Sequence, residues 1–287
     1  MRQGFVKVAA VTPKIVVADT RENTKLICEE IRKAEECGAK IIVLPELAIT
    51  GYTCSDLFLQ EKMLHEAKQS LLEIAAFTFA LDCIVFVGLP LEYNGKLYNV
   101  AAALNNGKVL GFVPKTYLPN YNEFYEARHF TRGMDEVVTV RLDRDLTAPM
   151  GKKLLFVCDT MPELKIGVEL CEDLWTPEPP AIRHALNGAN VIVNLSASDE
   201  TTGKDSYRRE LVKGQSARLL CGYVYANAGE GESTQDVVYS AHNMIAENGR
   251  LLAQSERFQN ESIFSEIDIL KLNAERRRMT TFETAED

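Results

Sequence analysis

The chain has 287 residues, 46% of them hydrophobic and 25% charged, with a formal net charge of −9 from 41 acidic and 32 basic side chains. This length suffices for one large domain, and the acidic balance argues against a phosphate-backbone partner, so no nucleic acid is expected. No apolar run approaches a bilayer span and no signal-peptide core follows Met1, so the expectation is a cytoplasmic protein with no membrane contact.

Apolar β-rich runs alternate with helical patterns along the chain. Val6 to Val11 and Ile41 to Leu44 read as buried strands, with an amphipathic helix from about Thr20 to Cys37 that stops at Gly38. A second helix over about Gln60 to Ala80 precedes a strand at Cys83 to Val87. The dipeptides Asn94-Gly95 and Asn106-Gly107 mark two-residue hairpin turns. Lys165 to Leu170, Asn190 to Leu195 and Tyr223 to Asn227 read as further strands, interleaved with helices over Pro180 to Asn187 and Ser206 to Leu220. A last hairpin turns at Asn248-Gly249, before a strand at Ser262 to Ile269. Strands interleaved with helices, plus antiparallel hairpins, predict an α/β layered fold with mixed sheets. No repeat or linker divides residues 1–270, which read as one domain. Residues 271–287 read as an exposed tail or the start of a linker, with Arg276-Arg277-Arg278 a solvated helix face.

Seven cysteines at wide spacings, with no Cys-x-x-Cys pair, indicate neither a disulfide framework nor a zinc cluster. Four histidines, none in a ligand-like pair, make a metal site equally unexpected. A cysteine nucleophile in this chain would therefore need a base other than histidine.

Three reactive side chains each follow an apolar strand. Glu46 lies in Leu44-Pro45-Glu46-Leu47, Lys115 in Val113-Pro114-Lys115-Thr116-Tyr117-Leu118-Pro119, and Cys171 in Gly167-Val168-Glu169-Leu170-Cys171-Glu172-Asp173. Taken singly, each has a plainer reading: a solvent-facing acid, a surface lysine, an inert core thiol. The acids after Cys171 should also raise its pKa unless a cation answers them. Taken together they complement one another. Ligands of α/β sheets collect beyond the carboxyl ends of strands. There Glu46 can act as base to the thiol, while Lys115 and a backbone N–H beside Cys171 can stabilise an oxyanion.

These segments, in this order and separation, resemble the three signatures of the nitrilase (carbon–nitrogen hydrolase) superfamily, from Val6 to about Ile269. The resemblance implies a four-layer α-β-β-α sandwich and a catalytic triad of Glu46, Lys115 and Cys171. It also implies a second glutamate eight residues past the lysine, at Glu123, orienting Lys115 or the substrate amide. The runs from Glu46 to Phe58, through Gly51-Tyr52-Thr53-Cys54, and from Lys115 to Glu126, through Asn120-Tyr121-Asn122-Glu123-Phe124, are similar to the glutaminase domain of glutamine-dependent NAD synthetases.

That similarity implies L-glutamine as substrate, contacted by Tyr121, Phe124, Glu172, Ser198 and Lys204. Glu172 would meet its ammonium and Lys204 its carboxylate. It further implies no cofactor for the glutaminase step, with ATP and magnesium needed only by a synthetase domain that receives the ammonia. The Ser-Gly-Gly-x-Asp-Ser pyrophosphate loop of such a domain does not occur in this sequence. The chain is thus expected to be either part of a longer protein or a free-standing glutaminase-like unit. Exposed hairpin edges suggest a homo-oligomer. Two competing functions are a stand-alone amidase for another ω-amide or carbamoyl compound, and a non-catalytic assembly module. Trp175, the only tryptophan, is read as a seal over the loop after the nucleophile.

Overall fold

A computed structural model describes residues 1 and 3–283. In chain order its strands are β1 (Phe5–Ala10), β2 (Ile41–Val43), β3 (Ile84–Tyr93), β4 (Lys96–Asn105), β5 (Lys108–Pro114), β6 (Val138–Arg141) and β7 (Thr147–Met150). They continue with β8 (Phe156–Cys158), β9 (Met161–Leu170), β10 (Val191–Ser196), β11 (Gly222–Asn227), β12 (Met244–Glu247), β13 (Arg250–Gln254) and β14 (Ile263–Asp268). The helices are α1 (Thr20–Glu36), α2 (Glu61–Phe77), α3 (Pro180–Leu186), α4 (Lys204–Arg218) and α5 (Ile269–Arg278).

Two mixed sheets form the centre. One runs β14-β1-β2-β3-β4-β5-β7-β6 and the other β13-β12-β11-β10-β9-β8. Strand periodicity sends alternate residues to opposite faces, and both faces here are apolar. Val8, Ile41, Val43 and Phe86 of the first sheet meet Val168, Val193, Leu195 and Val224 of the second in the middle of the molecule. Their neighbours Ala9, Ile42, Val85 and Val87 face outward onto Ile27 and Ile31 of α1 and Leu71 and Ile74 of α2. On the far side, Ile192, Tyr223 and Tyr225 pack beneath Ala181 and Ala185 of α3 and Val212 of α4. Layers of helix, sheet, sheet and helix result, as the sequence led us to expect.

The helix limits follow from local chemistry. Asp19 caps α1 by accepting the Glu22 N–H at 3.0 Å. Gly38, in the left-handed region (φ 85°), ends it one residue beyond Cys37. All three Asn-Gly hairpins form as read, with left-handed φ at Asn94, Asn106 and Asn248.

The C-terminal segment departs from its reading as an exposed tail. Residues through Arg278 continue the domain as α5, with Ile269 and Leu272 buried. Arg276 points inward and donates to the Ala189, Leu219 and Leu220 carbonyls at 2.7, 2.8 and 3.1 Å. Those orphan carbonyls follow the ends of α3 and α4, and a guanidinium fork satisfies them well. Residues 284–287 of the expected tail lie outside the described residues.

One glycine positions the site directly. At Gly88 in β3 an added Cβ would stand 2.2 Å from the Leu47 N and 2.8 Å from the Glu46 carbonyl carbon. The obstruction is backbone on both counts, so a Gly88→Ala variant must displace the segment that carries Glu46. We expect it to lose at least about 1–3 kcal/mol of stability, measured as a shift in denaturant midpoint. An unchanged midpoint would show that the two segments are not so closely packed.

Candidate active site

Glu46 sits three residues beyond β2, Lys115 directly after β5, and Cys171 directly after β9. These strands end on one side of the sandwich, and the first sheet meets the second there: the Glu46 N–H donates to the Ser196 carbonyl at the end of β10, at 3.3 Å. All three side chains are buried, Glu46 and Lys115 almost completely.

The Lys115 ammonium lies 2.7 Å from Glu46 Oε1 and 2.6 Å from Glu126 Oε1. Glu46 Oε1 also accepts from Asn99 Nδ2 at 2.7 Å, and its Oε2 accepts from the Ala197 N–H at 3.0 Å. Glu126 further accepts from the Tyr52 hydroxyl at 2.8 Å. Buried charge survives only when paired and hydrogen-bonded, a condition this cluster meets except at Glu126 Oε2, which is buried without a partner among the described residues. Burial alone would lower the Lys115 pKa. Glu126 and then Glu46 outweigh it, leaving the ammonium well above its ordinary range.

The second glutamate on the lysine is therefore Glu126, where the sequence pointed to Glu123. Among the described residues, Lys115 has Glu46 and Glu126 as its carboxylate partners, and Glu123 instead lines the cavity wall. The loop path explains the difference. Asn122 turns through the left-handed region (φ 49°), and the Glu126 N–H bonds the Pro119 carbonyl at 3.1 Å. This fold in the loop brings the chain back to the lysine three residues later than a simple count suggests.

Cys171 itself adopts φ 38°, a left-handed conformation for a non-glycine residue, and opens a short 3₁₀ turn, Cys171–Trp175. Its own N–H donates to Asn194 Oδ1 at 3.1 Å. The next N–H, of Glu172, has no hydrogen-bond acceptor among the described residues. Burial pushes the thiol pKa far up, Glu46 and Glu126 push the same way, and Lys115 opposes them.

The two acids after the nucleophile are held in different ways. Asp173 is buried and turned inward, accepting the N–H groups of Tyr117 at 2.8 Å, Leu170 at 3.0 Å and Thr116 at 3.2 Å. It thereby ties the lysine loop to the nucleophile turn. Glu172 faces the cavity and accepts from the Tyr121 hydroxyl at 2.9 Å.

A cavity of about 400 Å³ opens over Cys171, and it gathers every remaining candidate: Tyr121, Glu123, Phe124, Glu172, Ser198 and Lys204. Lys204 is ion-paired with Asp199 and rests between the Phe124 and Trp175 rings, 5.6 and 5.3 Å from their centroids. Trp175 thus does more than seal a loop, since it forms part of the cavity wall. Asp199 and Trp175 were not singled out as site residues from sequence. The signal was present in both cases, an acid three residues beyond the end of β10 and the chain's only tryptophan. Among the described residues no group of three or more His, Cys, Asp or Glu is placed to hold a metal, and no helix is long and apolar enough to cross a membrane.

Burial raises the Glu126 pKa from its ordinary 4.5 to about 7, with Lys115 opposing and Glu46 adding to the rise. A carboxyl with a raised folded-state pKa holds a proton that the unfolded chain releases. Its stabilising contribution is complete below pH 4.5 and is lost as pH rises through about 7. Stability of the wild type relative to Glu126→Gln should therefore fall across that window, as read from denaturant midpoints at each pH. A constant difference would show that Glu126 titrates in the ordinary range.

Residues 7–277 match the carbon–nitrogen hydrolase family. The chain is 42% identical over 283 residues to the glutamine-dependent NAD(+) synthetase of Mycobacterium leprae, covering 98% of this chain and 41% of that protein. It is 32% identical over 254 residues to the human protein of the same name, covering 85% of this chain and 35% of the human one. It superimposes with a TM-score of 0.82, at 33% identity, on a glutamine-dependent NAD(+) synthetase from Cytophaga hutchinsonii, covering 92% of this chain and 43% of that structure. The chain thus spans about two fifths of the length of the curated relatives it matches. A carbon–nitrogen hydrolase from Helicobacter pylori shares the fold at a TM-score of 0.76 and 17% identity. With the family matched over nearly its whole length and the two-sheet sandwich in common, this chain belongs to the carbon–nitrogen hydrolase family.

Proposed function

We propose that the chain is a glutaminase that releases ammonia from L-glutamine through a Cys171 thioester. The observation that carries this reading is the buried Glu46–Lys115–Glu126 cluster beside a thiol at the floor of a cavity. A thiol held neutral by burial needs a base, and Glu46, oriented by three donors, is the carboxylate beside it.

Glu46 takes the Cys171 proton as the sulfur attacks the side-chain amide carbon of glutamine. The oxyanion is held by the Lys115 ammonium and the unused Glu172 N–H. Glu46 then gives its proton to the nitrogen, the C–N bond breaks, and ammonia departs. Water, deprotonated by Glu46, attacks the thioester carbonyl. The C–S bond breaks, the sulfur regains a proton, and glutamate leaves. Glu126 keeps the ammonium in place throughout. No cofactor enters these steps.

Recognition of a free amino acid needs one charge of each sign. Glu172, with Tyr121 on it, offers the carboxylate for the substrate ammonium. Lys204 offers the cation for the substrate carboxylate, and Ser198 a buried hydroxyl in the cavity lining. Phe124 closes the wall. The relatives' names, glutamine-dependent NAD(+) synthetase, support a further step in which the ammonia serves to make NAD. Beyond those names, we infer that a synthetase domain does this in the cytoplasm, using ATP and magnesium on the deamido precursor. Edge strands at both ends of each sheet, β14 and β6 in one and β13 and β8 in the other, favour a homo-oligomer.

Cys171→Ala should lose at least about 10⁴-fold in glutamine hydrolysis while keeping the wild-type melting temperature to within a few degrees. Substantial residual turnover would remove the cysteine from the mechanism. In a panel of glutamine, ω-amidated dicarboxylates and N-carbamoyl amino acids, glutamine should show the highest kcat/KM. Faster turnover of another amide would transfer the assignment to a stand-alone amidase.

A further inference from the structure

A line of polar side chains crosses the interior of the second sheet, behind the nucleophile and outside the cluster already described. Glu169, Asn194 and Tyr223 belong to neighbouring parallel strands, β9, β10 and β11, and each is fully or almost fully buried. They share the sheet face beneath α3 and α4 with Ile192 and Tyr225, while their apolar neighbours fill the core between the sheets. Three buried polar groups on adjacent strands are costly unless each is satisfied.

Their hydrogen bonds run in one direction. The Tyr223 hydroxyl donates to Glu169 Oε1, and the other Glu169 oxygen accepts the Ala181 N–H at 3.0 Å. Burial raises the Glu169 pKa to about 6, which leaves it an acceptor at neutral pH. A hydroxyl has one proton, so with that proton on Glu169 the Tyr223 oxygen can only accept. It accepts from Asn194 Nδ2 at 3.1 Å. The amide of Asn194 is thereby oriented, and its oxygen must face the other way. There Oδ1 accepts the Cys171 N–H at 3.1 Å and the Ser196 hydroxyl at 2.7 Å.

The consequence concerns which backbone donor meets the substrate. Two N–H groups flank the nucleophile turn, those of Cys171 and Glu172, and Asn194 occupies the first. Resting on the thioester reading above, we propose that Asn194, oriented through Tyr223 by Glu169, is a positioning residue: it draws the Cys171 N–H away from the reacting carbonyl and fixes the left-handed turn that aims the Glu172 N–H at the oxyanion. Nothing in this line touches substrate. Its effect passes through the backbone of the nucleophile.

This role separates from simple core packing by which step it affects. Alkylation of Cys171 by iodoacetamide forms a C–S bond and expels iodide at a saturated carbon, with no oxyanion to stabilise. Glutamine hydrolysis passes through the oxyanion. Tyr223→Phe removes a single oxygen and preserves volume. It should lower kcat for glutamine by about 10- to 100-fold, with KM and the Cys171 alkylation rate each within about twofold of wild type. Asn194→Ala, which removes the acceptor itself, should show the same split and serves if the first variant folds poorly. Equal losses in alkylation and hydrolysis would overturn the proposal, because the line would then serve the thiol or the fold at large. Unchanged kcat would overturn it as well. Failure of the wild-type chain to hydrolyse glutamine, with Cys171 still alkylated at a normal rate, would instead count against the glutaminase reading.

Discussion

One buried ammonium holds this site together. Lys115 has no access to water, and among the described residues its charge is answered by Glu46 and Glu126 alone. Two carboxyl groups around one cation would leave an excess negative charge. Glu46 is answered by Asn99 and the Ala197 N–H. Glu126 takes only the Tyr52 hydroxyl besides the lysine, its Oε2 is buried without a partner among the described residues, and its pKa is raised. These donors come from β4, the end of β10 and the loop after Glu46. The ion cluster therefore depends on the two sheets meeting at their strand ends. Conversely, removing one partner of such a buried set would strand a charge, at a cost of roughly 3–5 kcal/mol.

The same electrostatics set the chemistry. A thiol near a lysine is often activated by it, but here the carboxylates around Lys115 consume its influence. Burial and Glu46 keep Cys171 protonated, against the pull of Lys115. A resting thiol that is neutral cannot attack until a base takes its proton, and the nearest candidate is already oriented by three donors. The acids that follow the cysteine contribute little to this. Asp173 is spent on three backbone N–H groups, where it acts as a splint between the lysine loop and the nucleophile turn. Glu172 points to the cavity and shares the Tyr121 hydroxyl.

Much of this was legible in the chain, for a specific reason. Glu46, Lys115 and Cys171 each interrupt an apolar strand at its carboxyl end, and local pattern reports such breaks well. The layered fold was legible on the same ground, since buried runs such as Ile41-Ile42-Val43 and the α1 stripe of Ile27, Ile31 and Ala34 differ plainly in period. The region from Val138 to Cys158 gave no such signal. Its strands are only three or four residues long, and Pro149 lies within one of them. Glu126 escaped because a loop's path, unlike a strand's direction, is not set by period. Arg276 escaped because an arginine run reads as solvated, whereas one of its three side chains meets helix-end carbonyls. Glu169 and Asn194 did break the apolar pattern of their strands. Their partners lie on other strands, so sequence could mark them as anomalous without saying what they bind.

The strained turn at Cys171 shows why so much buried polarity surrounds one residue. A left-handed non-glycine conformation costs of order 1–3 kcal/mol and persists only where its surroundings leave no alternative. Glycine at this position would relieve the strain but would carry no sulfur. The chain instead constrains the turn from both sides: Asn194 takes the Cys171 N–H, and Asp173 takes the N–H of Leu170 immediately before it. Each of these acceptors is in turn held by groups remote in sequence, Tyr223 for one and Tyr117 for the other. The nucleophile is thus bent by its immediate neighbours only because β10, β11 and the lysine loop first hold those neighbours still. That dependence ties the geometry of one backbone torsion to the completed assembly of both sheets.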